Sequence, residues 1–241
     1  MLVPLRHHPV LSLFIHGFFF VAFLLFFLVA LSLPIIKTIY LLTLHAQPQA
    51  NEPATNVATE VQFGVWGFCA TSVLNPPTWL TNPGDCVGPQ LGYRIDNTTT
   101  LGQDILLLTG YPQIVDAILE SLTVILVLHP VAAGLSFIVA FTSLFLESHA
   151  VSTLSLVIAI ITALLGSLVF AIDLALVIVA MNEVKNITIG TFTITFGNAV
   201  WMVLVGMVLT WAGVIALSAR VCYCCGVRPA DDGQLKPNRN Y

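Results

Sequence analysis

The chain has 241 residues, 57% of them hydrophobic and 8% charged, with 8 Lys+Arg against 12 Asp+Glu and a formal net charge of -4. A soluble domain carries about a quarter charged residues, so this composition cannot clothe a water-facing surface. A soluble enzyme, a disordered scaffold and a nucleic-acid binder are excluded, the last also because a basic surface is missing. An integral membrane protein with small parts outside the bilayer remains.

A spanning helix needs about 20 mostly apolar residues. Four segments qualify: Val10–Leu33, Ala117–Leu146, Thr153–Ala180 and Ala199–Ala219. Between and beyond them lie an N-terminal tail (1–9), a large loop (34–116), a short link (147–152), a second loop (181–198) and a C-terminal tail (220–241). The first segment has a basic flank, Arg6, as a secretory signal would. Its apolar run is longer than a signal core, and it reads as a retained span.

Orientation follows the Lys/Arg bias at span ends. Arg6, Arg220, Arg228, Lys236 and Arg239 lie on one side, and Lys37, Arg94 and Lys185 on the other. The Asn97-Thr98-Thr99 and Asn186-Ile187-Thr188 sequons both fall in the two loops of the less basic side. Both termini are therefore expected in the cytoplasm, both loops outside, and Asn97 and Asn186 are candidate glycosylation sites.

The first outer loop begins with Gln47-Pro48-Gln49-Ala50-Asn51-Glu52-Pro53, which resists helix and central strand alike. The aromatic-rich run from Phe63 to Cys69 favours β structure. Turn signals at Asn75-Pro76-Pro77 and Asn82-Pro83-Gly84 precede Cys86. These features predict a short strand, a wide loop and a second strand, held by a staple or by packing on the helices. The five cysteines divide into Cys69 and Cys86 outside and Cys222, Cys224 and Cys225 inside. Two outer cysteines in an oxidising compartment allow a single intramolecular disulfide, with free or intermolecular thiols as the alternative. In the second loop apolar and Thr residues alternate from Ile187 to Phe196, with one slip at Gly190-Thr191 that suggests a bulge. A lone strand would leave its backbone groups unpaired, so this one is expected to join the first loop in one small sheet.

Four spans, inside termini and the run Gly64-Val65-Trp66-Gly67-Phe68-Cys69 with a second cysteine downstream resemble the claudin-like superfamily. The junction Leu33-Pro34-Ile35-Ile36-Lys37-Thr38-Ile39-Tyr40-Leu41-Leu42 is similar, within it, to the fungal SUR/PalI family. So are Ala171-Ile172-Asp173-Leu174-Ala175-Leu176 and Gly197-Asn198-Ala199-Val200-Trp201-Met202. The resemblance implies a four-transmembrane-helix bundle with a small extracellular β-sheet, and it marks Gly64, Trp66 and Gly67 as the outer-loop motif. It implies a plasma-membrane accessory role in ambient-pH signalling beside a seven-helix pH sensor, or else a SUR-type eisosome organiser supporting the cell wall. Cys69 and Cys86 are farther apart than in claudin-type loops, so a barrier or pore role is not carried over.

Few residues offer chemistry. Asp173 is the only acid deep in a span, where an ionised carboxylate costs roughly 3 kcal/mol and turns to the bundle interior. A proton or ion relay would need a second acid or base at its depth, and none is expected there; the preferred reading is a protonated or hydrogen-bonded aspartate that fixes helix register, with Thr210 or Asn198 as partner. His16 and His129 invite a metal or haem, but ligand pairs need matching depth, and they read as buried, hydrogen-bonded histidines, His129 beside a kink at Pro130. Asp116 and Glu120 share a helix face as interfacial acids rather than a glycosidase pair. No phosphate loop, His-Glu-x-x-His or nucleophile elbow occurs in the sequence. No enzyme activity, cofactor or metal is expected. Cys222, Cys224 and Cys225 lack a fourth zinc ligand and read as S-acylation sites, with reduced thiols as the alternative. Gly206, Thr210 and Gly213 on the fourth span, and Ala132 and Ser136 on the second, allow close helix approach, either within the bundle or to a partner's helix. The expected partners are the lipid bilayer, another membrane protein (the sensor or eisosome components) and a second copy of the chain.

Overall fold

The computed structural model describes residues 9–46, 58–72, 85–88, 112–145, 149–188 and 192–221. Four long helices dominate: α1 (Pro9–Ala30), α2 (Pro112–Thr142, followed by a 3-10 turn at Ser143–Phe145), α3 (His149–Thr188) and α4 (Asn198–Val221). All four are long and apolar enough to cross a membrane. The chain is a multi-pass membrane protein. The helices touch in a ring, α1 beside α2 and α4, and α3 beside α2 and α4.

Small residues set the spacing between helices. The Phe26 ring packs over Gly166 of α3 and Gly206 of α4, where added Cβ atoms would stand 3.2 and 3.1 Å from its Cζ. A Cβ at Gly213 would overlap the Phe19 ring. Gly206, Thr210 and Gly213 are buried, and so are Ala132 and Ser136. The Gly206 and Gly213 positions therefore receive α1 of the same chain.

Both long connections enter one five-stranded antiparallel sheet at one end of the bundle, in the order β4-β3-β2-β1-β5. Its strands are β1 (Leu42–Ala46), β2 (Ala58–Phe63), β3 (Phe68–Ser72), β4 (Asp85–Val87) and β5 (Phe192–Phe196). β5 joins β1 in the register Leu42↔Phe196 and Leu44↔Ile194, which unites the two loops as expected. Leu42, Leu44, Val61, Phe63, Phe68, Ala70 and Ile194 share one face by alternation. They continue the core of Phe26, Val29, Val177, Val200 and Val203 without a break. The other face carries Thr43, Gln62, Cys69, Thr71, Thr193 and Thr195. A second apolar cluster, with Ile15, Phe19, Val139, Ala159, Ala163 and Leu217, fills the opposite end.

Three local expectations change. Phe63 to Cys69 is not one strand but the β2–β3 hairpin, whose turn spans Gly64 to Gly67. Leu42–Ala46, which begins at the last residue of the junction and to which the sequence assigns no strand, is the strand at which the two loops meet. The alternation from Ile187 to Phe196 is strand only over Phe192–Phe196, because α3 runs on through Thr188. A 40-residue helix is about 60 Å long, roughly twice the hydrocarbon thickness, so its end reaches the sheet and leaves a short connection. The slip at Gly190-Thr191 lies outside the described residues.

Candidate functional site: a clamped membrane junction and a buried histidine–aspartate pair

The last carbonyls of a helix have no partner within it. At the end of α1 the β2–β3 turn supplies partners. The Trp66 Nε1–H donates to the Ala30 carbonyl, the Trp66 backbone N–H donates to Leu33 O at 3.1 Å, and the Val65 N–H donates to Ser32 Oγ at 2.9 Å. The turn itself is closed by Gly64 N to Gly67 O at 2.8 Å. Side chains are excluded there by contact: a Cβ at Gly64 would strike Leu33, and one at Gly67 would strike the Val87 carbonyl. Gly88 crosses the Trp66 carbonyl with φ 113°, a conformation that favours glycine. Gly64, Trp66 and Gly67 are thus one contact surface that caps the first span.

A second clamp closes the other side of the same junction. Asn198, the first residue of α4, donates from Nδ2 to Thr38 O at 2.6 Å and accepts at Oδ1 from Tyr40 N–H at 3.0 Å. Gly197 N–H donates to Leu41 O at 2.8 Å, and a Cβ there would strike the Tyr40 carbonyl. Residues 30–41 are therefore held by the first loop on one side and by the entry to the fourth span on the other. Asn198 serves this clamp, and Thr210 donates to the Met207 carbonyl of its own helix at 2.7 Å. Neither is the partner of Asp173.

Cys69 and Cys86 are directly opposed on β3 and β4 and form a disulfide. β4 has only three residues, so this bond and the packing of Val87 and Gly88 on the Trp66 turn keep it on the sheet.

Below the sheet, Asp173 of α3 faces His129 of α2, with Oδ2 3.3 Å from Nε2 and both side chains wholly buried. Neither Asp173 oxygen makes a conventional hydrogen bond among the described residues. The two side chains approach to ion-pair distance without an aligned hydrogen bond. This corrects the expectation that no second acid or base lies at the depth of Asp173. The signal was present in the sequence: counted from the short link between the spans, His129 is about 20 residues back and Asp173 about 24 forward, within about one helical turn in depth.

His16 does not join them. Its Nδ1 lies 2.9 Å from the Ala140 carbonyl at the opposite end of the bundle, where Ser12 donates to the Ser143 carbonyl at 2.7 Å. The two histidines are not co-ligands, and among the described residues no group of three His, Cys, Asp or Glu side chains could hold a metal ion. Asp116 and Glu120 lie on α2, and Asn186 lies in the last turn of α3. Asn97, Cys222, Cys224 and Cys225 are outside the described residues.

No curated protein matches the chain significantly. Residues 9–213 match the SUR7/PalI family, a stretch that runs from the start of α1 through the sheet and most of α4. Bundle, sheet and double clamp all fall inside it, and the chain belongs to the SUR7/PalI family.

Proposed function

We propose that this chain is a non-enzymatic accessory protein of the plasma membrane that assists a seven-helix sensor in fungal ambient (alkaline) pH signalling. The observation that carries the reading is the family match over residues 9–213, taken together with a site chemistry directed inward. His129 faces Asp173, and the motif residues of the first loop are spent on capping α1. Such a molecule offers surfaces rather than a reaction centre: a lipid-facing helix bundle and a braced sheet. In this reading the sheet is extracellular, Asn97 and Asn186 are on the glycosylated side, and the termini and the acylated cysteines Cys222, Cys224 and Cys225 are cytoplasmic. The sensor is engaged by lateral helix contacts in the bilayer and by the sheet above it.

Purification of the tagged full-length chain in mild detergent tests this. The sensor is expected to co-purify and to decline at the cell surface when the chain is deleted. Normal sensor abundance and normal alkaline growth in the deletion strain would overturn the proposal. Punctate furrow localisation with wall-stress sensitivity and intact pH signalling would assign the eisosome role instead.

A further inference from the structure

The seam between α1 and α2 carries a feature that bundle packing does not use. Nδ1 of His16 lies 2.9 Å from the Ala140 carbonyl, and a carbonyl can only accept, so Nδ1 carries the hydrogen. Nε2 is then an acceptor, and it has no hydrogen-bond partner among the described residues. His16 is half-buried and sits six residues into the apolar run that begins at Val10, about 9 Å along the helix. Acyl chains offer such an acceptor nothing, and an unmet polar group facing hydrocarbon is costly.

Toward the sheet from His16 the seam is a row of aromatic rings. The imidazole stacks on Phe20 at 5.7 Å and 18°. Phe20 adjoins Phe23 at 6.2 Å, and Phe23 meets Phe137 of α2 at 5.2 Å. Phe20 and Phe137 are exposed on the bundle surface. One turn from Phe137 on the same face of α2, Gly134 is exposed, and a Cβ there would meet nothing within 4 Å. An acceptor within the first turns of the span therefore stands at the head of an aromatic wall with an open notch farther in.

We propose that this seam binds a membrane sterol, whose hydroxyl donates to His16 Nε2 while its ring face lies on Phe20, Phe23 and Phe137 over the notch at Gly134. The rigid rings explain the choice among lipids. A fused ring system presents a flat face to aromatic side chains and loses little conformational freedom when held. A phospholipid chain has no hydroxyl at this depth and must be ordered to lie there.

Full-length protein in phosphatidylcholine nanodiscs containing a photoreactive sterol with a free hydroxyl provides the test, with labelled peptides mapped by mass spectrometry. Label is expected on the α1 and α2 peptides that form the seam. It should be competed by unmodified sterol and not by the sterol methyl ether, which cannot donate. His16→Leu and Gly134→Phe should each reduce labelling about threefold to tenfold. His16→Gln, which keeps an acceptor, should label like the parent protein, as should Ala171→Phe on the exposed face of α3. Elution profile and intact Cys69–Cys86 disulfide establish that each variant is folded. The proposal is overturned if folded His16→Leu and Gly134→Phe label as strongly as the parent. Label spread evenly over all four helices, or a seam that cross-links to a second copy and excludes the sterol, would also overturn it.

Discussion

The Asp173 carboxylate and the His129 imidazole meet at 3.3 Å in the interior of the bundle, joining α3 to α2 with both side chains wholly buried. Each is the other's compensation. Removing one leaves a polar group in an apolar surround, whereas replacing both with apolar residues of similar size removes the requirement. His129→Leu or Asp173→Leu alone should cost about 2–3 kcal/mol of stability, and the double variant should recover most of that loss. Denaturant unfolding of the four proteins in detergent measures the coupling. Strictly additive losses would show that the two residues act independently.

The Trp66 turn is held by contacts that tolerate no side chain at Gly67. Gly67→Ala should push Val87 away and keep β4 from docking on β3 as the chain folds, so that Cys69 and Cys86 are not oxidised to the disulfide and remain thiols open to alkylation. Trp66→Phe keeps an aromatic ring but loses part of the indole's packing and the Nε1–H bond to Ala30 O, which should cost about 1–3 kcal/mol and leave the disulfide formed. Thiol labelling of folded membranes distinguishes the two. Equal labelling of Gly67→Ala and the parent protein would refute the role given to this glycine.

Asn198 both donates and accepts across the second clamp. Asn198→Asp retains the acceptor for Tyr40 N–H but turns an oxygen toward the Thr38 carbonyl. It should therefore be no better than Asn198→Ala, each costing about 1 kcal/mol. Thermal unfolding compares them, and an aspartate variant as stable as the parent would count against the bidentate clamp.

Gly213 lies against the Phe19 ring, where a Cβ would overlap it. Gly213→Ala should destabilise by about 1–3 kcal/mol through overpacking, and Phe19→Leu in the same chain should relieve part of that loss. If the pair is simply additive, the glycine has another purpose than admitting the ring.

Disulfide removal should also be legible. Cys69→Ser/Cys86→Ser is expected to lose about 3 kcal/mol by the chain-entropy relation, seen as a lower denaturant midpoint at unchanged oligomeric state. An unchanged midpoint would mean that packing of Val87 and Gly88 on the Trp66 turn is enough to hold β4.

The sequence by itself determined the class of molecule, the number of apolar helices, the Cys69–Cys86 pairing and the union of both loops in one sheet. Each follows from a property carried along the chain: transfer free energy per residue, the side to which a segment is assigned, and the need of a strand for a neighbour. Partners across the bundle were another matter. The sequence offers Asp173 the polar residues Thr210 and Asn198, yet Thr210 bonds within its own helix and Asn198 holds Thr38 and Tyr40. Choosing His129 requires the depth of α2 against α3 and the rotation of each helix about its axis, and hydropathy is nearly blind to both in helices apolar on all sides. The stripe of Gly206, Thr210 and Gly213 fits a partner's helix as well as its own by sequence, and in the fold Phe26 and Phe19 occupy its glycines. The Trp66 motif looked like strand because aromatic residues favour strands. It is a turn because Gly64 and Gly67 let the chain lie against Leu33 and Val87. Local composition decides what can enter the membrane; only packing, which sets axial rotation and depth, decides which side chains meet there.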